Sequence, residues 1–499
     1  MFSRVTRSGL RVAQCAENAR KFSKKPEMER PVMPSCDVEP VAYKGPDFNS
    51  VQKIKEDHIV PCIQTYYKEP LLIHQGHMQW LFDYKGKRYL DMFGGIVTIS
   101  VGHCHPKVNK AAQQQMNTLW HTTNVYMHPK LYEYAEKLTS KFPDELQVVY
   151  FVNSGSEAND LAMLLARVYT GNYDIVSLQN GYHGVSPYCM GLTAMSTWKF
   201  NIPTKLGLTH AMVPDPYKGL FGGSKCRDSP VQALRDCSCP EGSCSAAQSY
   251  YESMEETFKY SIPRGKVAAF FAESIQGVGG VVQYPKGFLK KVYELVRSNG
   301  GLCVADEVQT GFGRTGDHFW GFESHGVVPD IVTLAKGVGN GYPLAAVVTS
   351  NKISRALGHA NHFNTFGGNP VACSIGIATL EAIEEEKLQK NSKIVGTYLL
   401  KGLEKLRDEF EIVGDVRGKG LMIGVELVKD RKSKQPLAAK HVADLWETCK
   451  DLGVLLGRGG FNGNVFRIKP PMCITREDAD FTLQVLRYAL VKLVKSSKV

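Results

Sequence analysis

Three features of the 499-residue sequence predict an α/β fold with a mostly parallel central sheet. Short β-branched runs recur through the middle of the chain, and several are continuously apolar, as strands buried on both faces must be. Amphipathic helical stretches separate them, and strand–helix–strand alternation is the signature of a doubly wound sheet. The two ends read differently, as smaller α+β pieces that combine beside the large central unit.

In chain order, residues 70–91 read as an antiparallel meander, with Trp80-Leu-Phe-Asp-Tyr and Lys87-Arg-Tyr-Leu hinged at Lys85-Gly86. Strands follow at 148–153, 174–178, 267–272, 301–306, 330–335 and 344–349. Between them, residues 157–169 put Leu161, Leu164, Leu165 and Val168 on one helical stripe. Residues 288–298 do the same with Leu289, Val292, Leu295 and Val296. Residues 214–264 read as an insertion without strands. Beyond about residue 380 helices give way to strand-like stretches at 411–413 and 422–427. The expected organisation is a leader at 1–40, part of a small domain at 41–95, a large domain at 96–380, and the rest of the small domain at 381–499.

Charge and composition narrow the class. The net charge is +11. Residues 1–26 hold seven basic residues and one acid, so that segment supplies +6 and the other 473 residues only +5. No nucleic-acid surface is expected from so even a balance. The Arg- and Ser-rich, acid-poor start reads as a mitochondrial transit peptide, the alternative being a basic tail. No apolar run reaches the roughly 18 residues of a membrane helix. Of thirteen cysteines, Cys226, Cys237, Cys239 and Cys244 cluster in sequence. They lack the paired C-x-x-C spacing of zinc sites and lie in a Gly-, Ser- and Pro-rich stretch, so free thiols and no metal are expected. Gly102-His103-Cys104-His105-Pro106 reads as a polar turn in preference to a metal site.

Four stretches carry chemistry. In Asp330-Ile-Val-Thr-Leu-Ala-Lys336-Gly-Val-Gly-Asn-Gly a lysine ends an apolar strand. Burial lowers such an amine's pKa and frees it to attack a carbonyl; a snorkelling or paired lysine is the alternative. Leu302-Cys-Val-Ala-Asp306-Glu307-Val-Gln309 delivers carboxylates to the C-terminal sheet edge, where ligands of open α/β sheets bind. A carboxylate there would keep a pyridine nitrogen protonated, or simply cap a turn. Val148-Val-Tyr-Phe-Val-Asn153-Ser154-Gly155-Ser156-Glu157-Ala158-Asn159 breaks a strand and opens a helix whose free N–H groups suit a phosphate, or make an ordinary N-cap. Gly181-Tyr182-His183-Gly184 offers an aromatic ring for stacking or for core packing.

Together and in this order, these stretches resemble the class-III pyridoxal-phosphate aminotransferases of fold type I. The run from Asp306 to Gly316, then Pro329-Asp330 and Ala335-Lys336-Gly337, is similar to that family's signature block, and His362-Phe-Asn-Thr365-Phe-Gly-Gly-Asn-Pro370 to its downstream companion. The resemblance spans roughly residues 65–490. It implies pyridoxal 5'-phosphate as cofactor, carried by Lys336 as a Schiff base, with Asp306 holding the ring nitrogen cationic. It implies cofactor contacts from Ser154, Gly155, Ser156, Tyr182, His183, Glu273 and Gln309, and from Thr365 of a neighbouring subunit in a homodimer or homotetramer. Arg467, in Val465-Phe-Arg-Ile-Lys-Pro-Pro, takes the place of the family's substrate-carboxylate arginine.

Within the family the resemblance is to the mitochondrial alanine–glyoxylate branch. That implies ping-pong transfer in the matrix between a small amino acid, such as alanine or 3-aminoisobutyrate, and glyoxylate or pyruvate. Relatives acting on ornithine, acetylornithine or 4-aminobutyrate carry an arginine and a glutamate where Val185 and Val278 stand here. Two alternatives remain: a class-III phospho-lyase acting on an amino-alcohol phosphate, and a non-catalytic nucleotide-binding or structural protein.

Overall fold

The computed structural model describes residues 29–237, 239–240 and 244–496. Residues 1–28, the larger part of the expected leader, lie outside it. The central sheet has seven strands, numbered after β1 (Ile73–His77), β2 (Trp80–Asp83) and β3 (Arg88–Asp91): β4 (Val148–Val152), β5 (Asp174–Leu178), β6 (Leu208–Ala211), β7 (Val267–Glu273), β8 (Leu302–Asp306), β9 (Ile331–Leu334) and β10 (Ala345–Thr349). Their spatial order is β4-β10-β9-β8-β7-β5-β6. All neighbours run parallel except β10, which is antiparallel to both β9 and β4. Every residue of β7, β8, β9 and β10 is buried.

The strand period of two explains why these runs are apolar throughout. Phe271, Val304, Ala345 and Val347 face one core, shared with Leu161 and Leu165 of the helix Gly155–Thr170. Phe270, Cys303, Ala346 and Val348 face another, shared with Phe288 and Val292 of the helix Phe288–Ser298. Each strand is therefore sandwiched between two apolar layers.

The ends form two smaller sheets. β1 (Ile73–His77), β2 (Trp80–Asp83) and β3 (Arg88–Asp91) make the expected meander, and β13 (Val454–Leu455) joins β3 in parallel. The two ends of the chain thus share a sheet. β11 (Val413–Lys419), β12 (Met422–Leu427), β14 (Gly457–Gly459) and β15 (Val465–Ile468) form the third sheet, in the order β11-β12-β15-β14.

Two expectations need correction. The strand expected at 411–413 is β11, which begins at Val413; its two glycines and the charged Asp415, Arg417 and Lys419 hid it, although every residue in it is buried. β6 was not foreseen at all, being short and half polar. Among its described residues the insertion at 214–264 holds no strand, but it ends in the helix Ser245–Ser261.

Candidate active site

A cavity of about 180 Å³ opens at the C-terminal edge of the central sheet. Ser154, Gly155, Ser156, Tyr182, His183, Asp306, Gln309 and Lys336 line it, with Asn159, Gly184 and Val308. β4 ends at Val152, and Ser154 caps the helix that follows, its side chain accepting from the Glu157 N–H at 3.2 Å. The first turn of a helix leaves its N–H groups outside the helical ladder, so those of Gly155 and Ser156 face the cavity with the positive end of the dipole behind them. Gly184 closes this end. Its φ is +117°, and a Cβ there would lie 2.5 Å from Ser156 Oγ and 2.8 Å from Cys189 Sγ, so no side chain fits.

β7 and β8 end side by side, with Glu273 paired in register to Asp306. The two carboxylates are held differently. Asp306 Oδ2 accepts from Asn159 Nδ2 at 3.0 Å and lies 2.8 Å from His183 Nδ1. Its Oδ1 accepts from the Val308 N–H at 3.1 Å. Burial works against a charged His183, but the hydrogen bond and charge of Asp306 outweigh it and raise the ring's pKa. Glu273 accepts from the backbone N–H groups of Tyr182 (3.1 Å) and Gly277 (2.7 Å), and burial pushes its pKa up. The Tyr182 ring stands edge-on to Trp198, 5.0 Å between centroids.

Lys336 leaves β9 in the left-handed region, at φ 54°, a conformation costly for a side-chain-bearing residue and found where function demands it. The turn after it is pinned, with Ser100 Oγ donating to the Gly337 carbonyl at 2.7 Å and Asn340 Oδ1 accepting from the N–H groups of Ser100 and Val101. Burial lowers the Lys336 pKa, against the opposing pull of Asp306 and Glu273, and Arg467 lowers it further. More of the amine is therefore neutral, and nucleophilic, than in free lysine.

Arg467 lies beyond the cavity wall on β15, its charge felt by Glu273, Tyr182 and Lys336. Its register neighbours on both sides are glycines, Gly424 and Gly457. Nε donates to the Arg458 carbonyl at 3.0 Å, the guanidinium sits 5.0 Å from the Phe93 ring centre, and Nη1 is buried without a partner. Among the described residues no carboxylate pairs with it. Burial pulls its pKa down to about 10. The Gln276-Gly277-Val278 turn abuts this strand pair, with the Gly460 N–H donating to the Val278 carbonyl at 2.9 Å. Two residues on from Arg467, the fully buried Lys469 Nζ donates to Gln309 Oε1 at 2.9 Å.

Asn159 and Lys469 lie within the stretches singled out from the sequence, but no role is assigned to them there. Asn159 sits one helical turn after Gly155 and so on the same face, a signal that was available. Lys469 reads as a surface lysine until the burial of β15 is known. Thr365 lies apart from the cavity, in an exposed stretch where Phe363 and Phe366 are also exposed. His103 and His105 turn to different carboxylates, Asp91 (2.8 Å) and Glu386 (2.7 Å), and do not converge.

The donor set suits pyridoxal phosphate: helix N–H groups for a phosphate, a strand-end carboxylate for a cationic ring nitrogen, and a partly neutral amine for an aldehyde. Comparisons with known proteins agree. Residues 63–490 match the family Aminotransferase class-III. Human mitochondrial alanine–glyoxylate aminotransferase 2 is 56% identical over 464 residues, covering 93% of this chain and 90% of that protein. A transaminase structure from the marine bacterium Virgibacillus superposes with a TM-score of 0.79 at 29% identity, over 90% of this chain and 99% of that one. An Arthrobacter phospholyase, in complex with phosphoethanolamine, gives 0.80 at 32%, over 88% and 99%. A match of this length, joined to a cavity of this chemistry, makes the chain a member of the class-III aminotransferases, enzymes dependent on pyridoxal 5'-phosphate.

Proposed function

We propose that this enzyme moves an amino group between a small amino acid, such as alanine or 3-aminoisobutyrate, and glyoxylate or pyruvate. The observation that carries the reading is the buried, unpaired guanidinium of Arg467, with support from the name of the human relative. Arginine meets a carboxylate with two parallel hydrogen bonds. With Val278 where other branches have a glutamate, no carboxylate among the described residues pairs with Arg467, so every substrate presents its carboxylate there and the reactive amine must lie close to it.

When bound, pyridoxal phosphate supplies an aldehyde that captures amines and a cationic ring that accepts the electron pair of a deprotonated carbon. Gly155, Ser156 and Ser154 bind its phosphate. Asp306 keeps a proton on the ring nitrogen, and His183 and Asn159 hold that carboxylate in place. Tyr182 orients the ring, and Glu273 positions Tyr182 through its backbone N–H. Lys336 Nζ would hold the aldehyde of the bound cofactor and, as a partly neutral amine, would take and return the proton at the substrate carbon. The same amine would serve the amino-acid and keto-acid half-reactions, as ping-pong kinetics require.

Assembly and location belong to the same reading. Val125, Tyr126 and Met127 are exposed, as are Trp120, Phe363 and Phe366, and an apolar surface of that size favours a second copy of the chain. Thr365, amid these residues, reaches the neighbouring subunit's phosphate site in a homodimer or homotetramer. The basic start, with a mitochondrial relative, supports import into the matrix and cleavage within residues 25–45.

A donor-by-acceptor panel tests the activity. Alanine with glyoxylate or pyruvate is expected to turn over fastest, and ornithine or 4-aminobutyrate as the best donor would sink the assignment. The Arthrobacter neighbour favours one rival, elimination of phosphate from an amino-alcohol phosphate; release of inorganic phosphate from phosphoethanolamine would establish it. Lys336→Ala should abolish both turnover and the protein-bound absorbance of the cofactor.

A further inference from the structure

Cys226, Cys237, Cys239 and Cys244 take no part in this chemistry. The fold nevertheless gathers the Sγ atoms of Cys226, Cys239 and Cys244 within 4.8 Å of one another. They arrive from two sides. Cys226 is 1% exposed and precedes Arg227, whose guanidinium grips Asp415 through two bonds of 2.7 and 2.9 Å. Cys244 stands at the N-cap of the 17-residue helix Ser245–Ser261. The helix's first N–H, of Ser245, donates to Cys239 Sγ at 3.4 Å, and Ser245 Oγ lies 3.2 Å from the same sulfur. Such bonds to sulfur are the outer support that thiolate metal sites use. Cys237 lies outside that trio but within hydrogen-bond reach of the Cys239 thiol.

A second observation points the same way. Among the described residues from Met212 to Cys244 there is no helix or strand, only an isolated bridge from Arg227 to Pro285. A segment that long without secondary structure of its own is uncommon inside a compact fold, and a metal clip closing a long loop is one way to hold it. Tetrahedral zinc–thiolate bonds of about 2.3 Å put sulfur atoms about 3.8 Å apart, so the three thiols need only a small contraction.

We propose that Cys226, Cys239 and Cys244, with Cys237 as fourth ligand, hold one structural Zn²⁺ that clips the insertion to the start of the helix Ser245–Ser261. The four thiols lose their protons to solvent as the ion binds, and no oxidant is involved. A closed set of four thiolates leaves no position for substrate, so the ion fastens the fold and takes no part in transamination. The C-x-C pair and the ten residues between Cys226 and Cys237 explain why the paired-cysteine spacing is missing: the ligands are collected by the fold and not by one local turn.

The test uses the full-length holoenzyme produced with zinc in the medium and dialysed free of loose metal. Metal analysis should find about one zinc per chain, released when a mercurial reagent titrates the thiols. Cys239→Ser, at a partly exposed position, should lose most of that zinc while keeping the bound cofactor's absorbance, which reports an intact fold. Cobalt refolded into the site should give the intense visible bands of a tetrahedral thiolate complex. Zinc-free wild-type protein with all four thiols open to alkylation would overturn the proposal. So would peptide mapping that finds Cys226 and Cys244 joined as a disulfide, or zinc retained in full by Cys239→Ser.

Discussion

Arg417 and Arg467 lie in the same small sheet and are equally hidden, 2% and 6% exposed. Their surroundings are opposite. Arg417 Nη1 reaches Asp415 at 3.0 Å and Glu426 at 2.7 Å, and its Nη2 donates to the Gly280 carbonyl at 2.7 Å. Asp415 is shared with Arg227, and although burial opposes it, these two cations hold its carboxyl down at about 2. Burial likewise opposes the charge on Arg417, yet Glu426 and Asp415 raise its pKa. Around Arg467 burial prevails over the weaker pull of Glu273, and its pKa falls to about 10. A buried charge needs partners. Where the protein supplies all of them the arginine serves the fold; where it withholds them, as around Arg467, the proposed partner is the substrate carboxylate.

The sharpest way to break this comparison is to truncate both arginines. Arg417→Ala leaves Asp415 and Glu426 short of a buried cation, and removing one member of such a network costs about 3–5 kcal/mol. A large drop in the denaturation midpoint is expected, and an unchanged midpoint would remove Arg417 from the structural side of the contrast. Arg467→Ala strands no carboxylate. Its thermal midpoint should hold or rise, while the lost bidentate pair with substrate, about 2–5 kcal/mol, lowers kcat/KM by about thirtyfold to a few thousandfold at roughly 1.4 kcal/mol per decade. If alanine–glyoxylate turnover survives Arg467→Ala, the unpaired guanidinium is not a substrate site.

The same contrast explains what could be read from sequence. The sheet edge was legible because its strands are apolar throughout and each ends on a reactive residue, Asp306 or Lys336. The helix start at Ser154-Gly155-Ser156 was legible because capping chemistry is local. β11 was not, because buried charges that neutralise one another look like solvated ones until their partners are known. Glu273 is named by the family resemblance, yet its task of holding the Tyr182 and Gly277 N–H groups depends on loops brought together from 91 and 4 residues away. The cysteines around 239 are free thiols, as their spacing suggests; that three of them converge is not legible from that spacing, because it is no local motif.

The smallest expected effect concerns Lys469, which lies between the two cases. It is 0% exposed, and its Nζ donates to Gln309 Oε1 at 2.9 Å. Burial, with Arg467, Lys336 and Arg314 nearby, pushes its pKa well down, while Glu273 opposes. An amine has no acceptor to offer while it is charged, so Gln309 gives Lys469 its oxygen and keeps its two N–H donors for the cavity. Lys469→Met retains the length of the chain and frees the Gln309 amide to turn. Loss of one such bond is worth about 0.5–1.5 kcal/mol, so cofactor affinity should fall by about tenfold at most, and Gln309→Leu should add little in that background. Stability carries the sign. The folded pKa is below the ordinary 10.5, so across that interval the unfolded chain binds more protons and stability rises with pH. The penalty is therefore full at lower pH and vanishes towards 10.5. Apoenzyme with Lys469→Met should gain thermal midpoint most at the acid end of a pH series, and lose that advantage as pH rises. A gain that grows with pH instead would mean that Lys469 is charged and paired like Arg417.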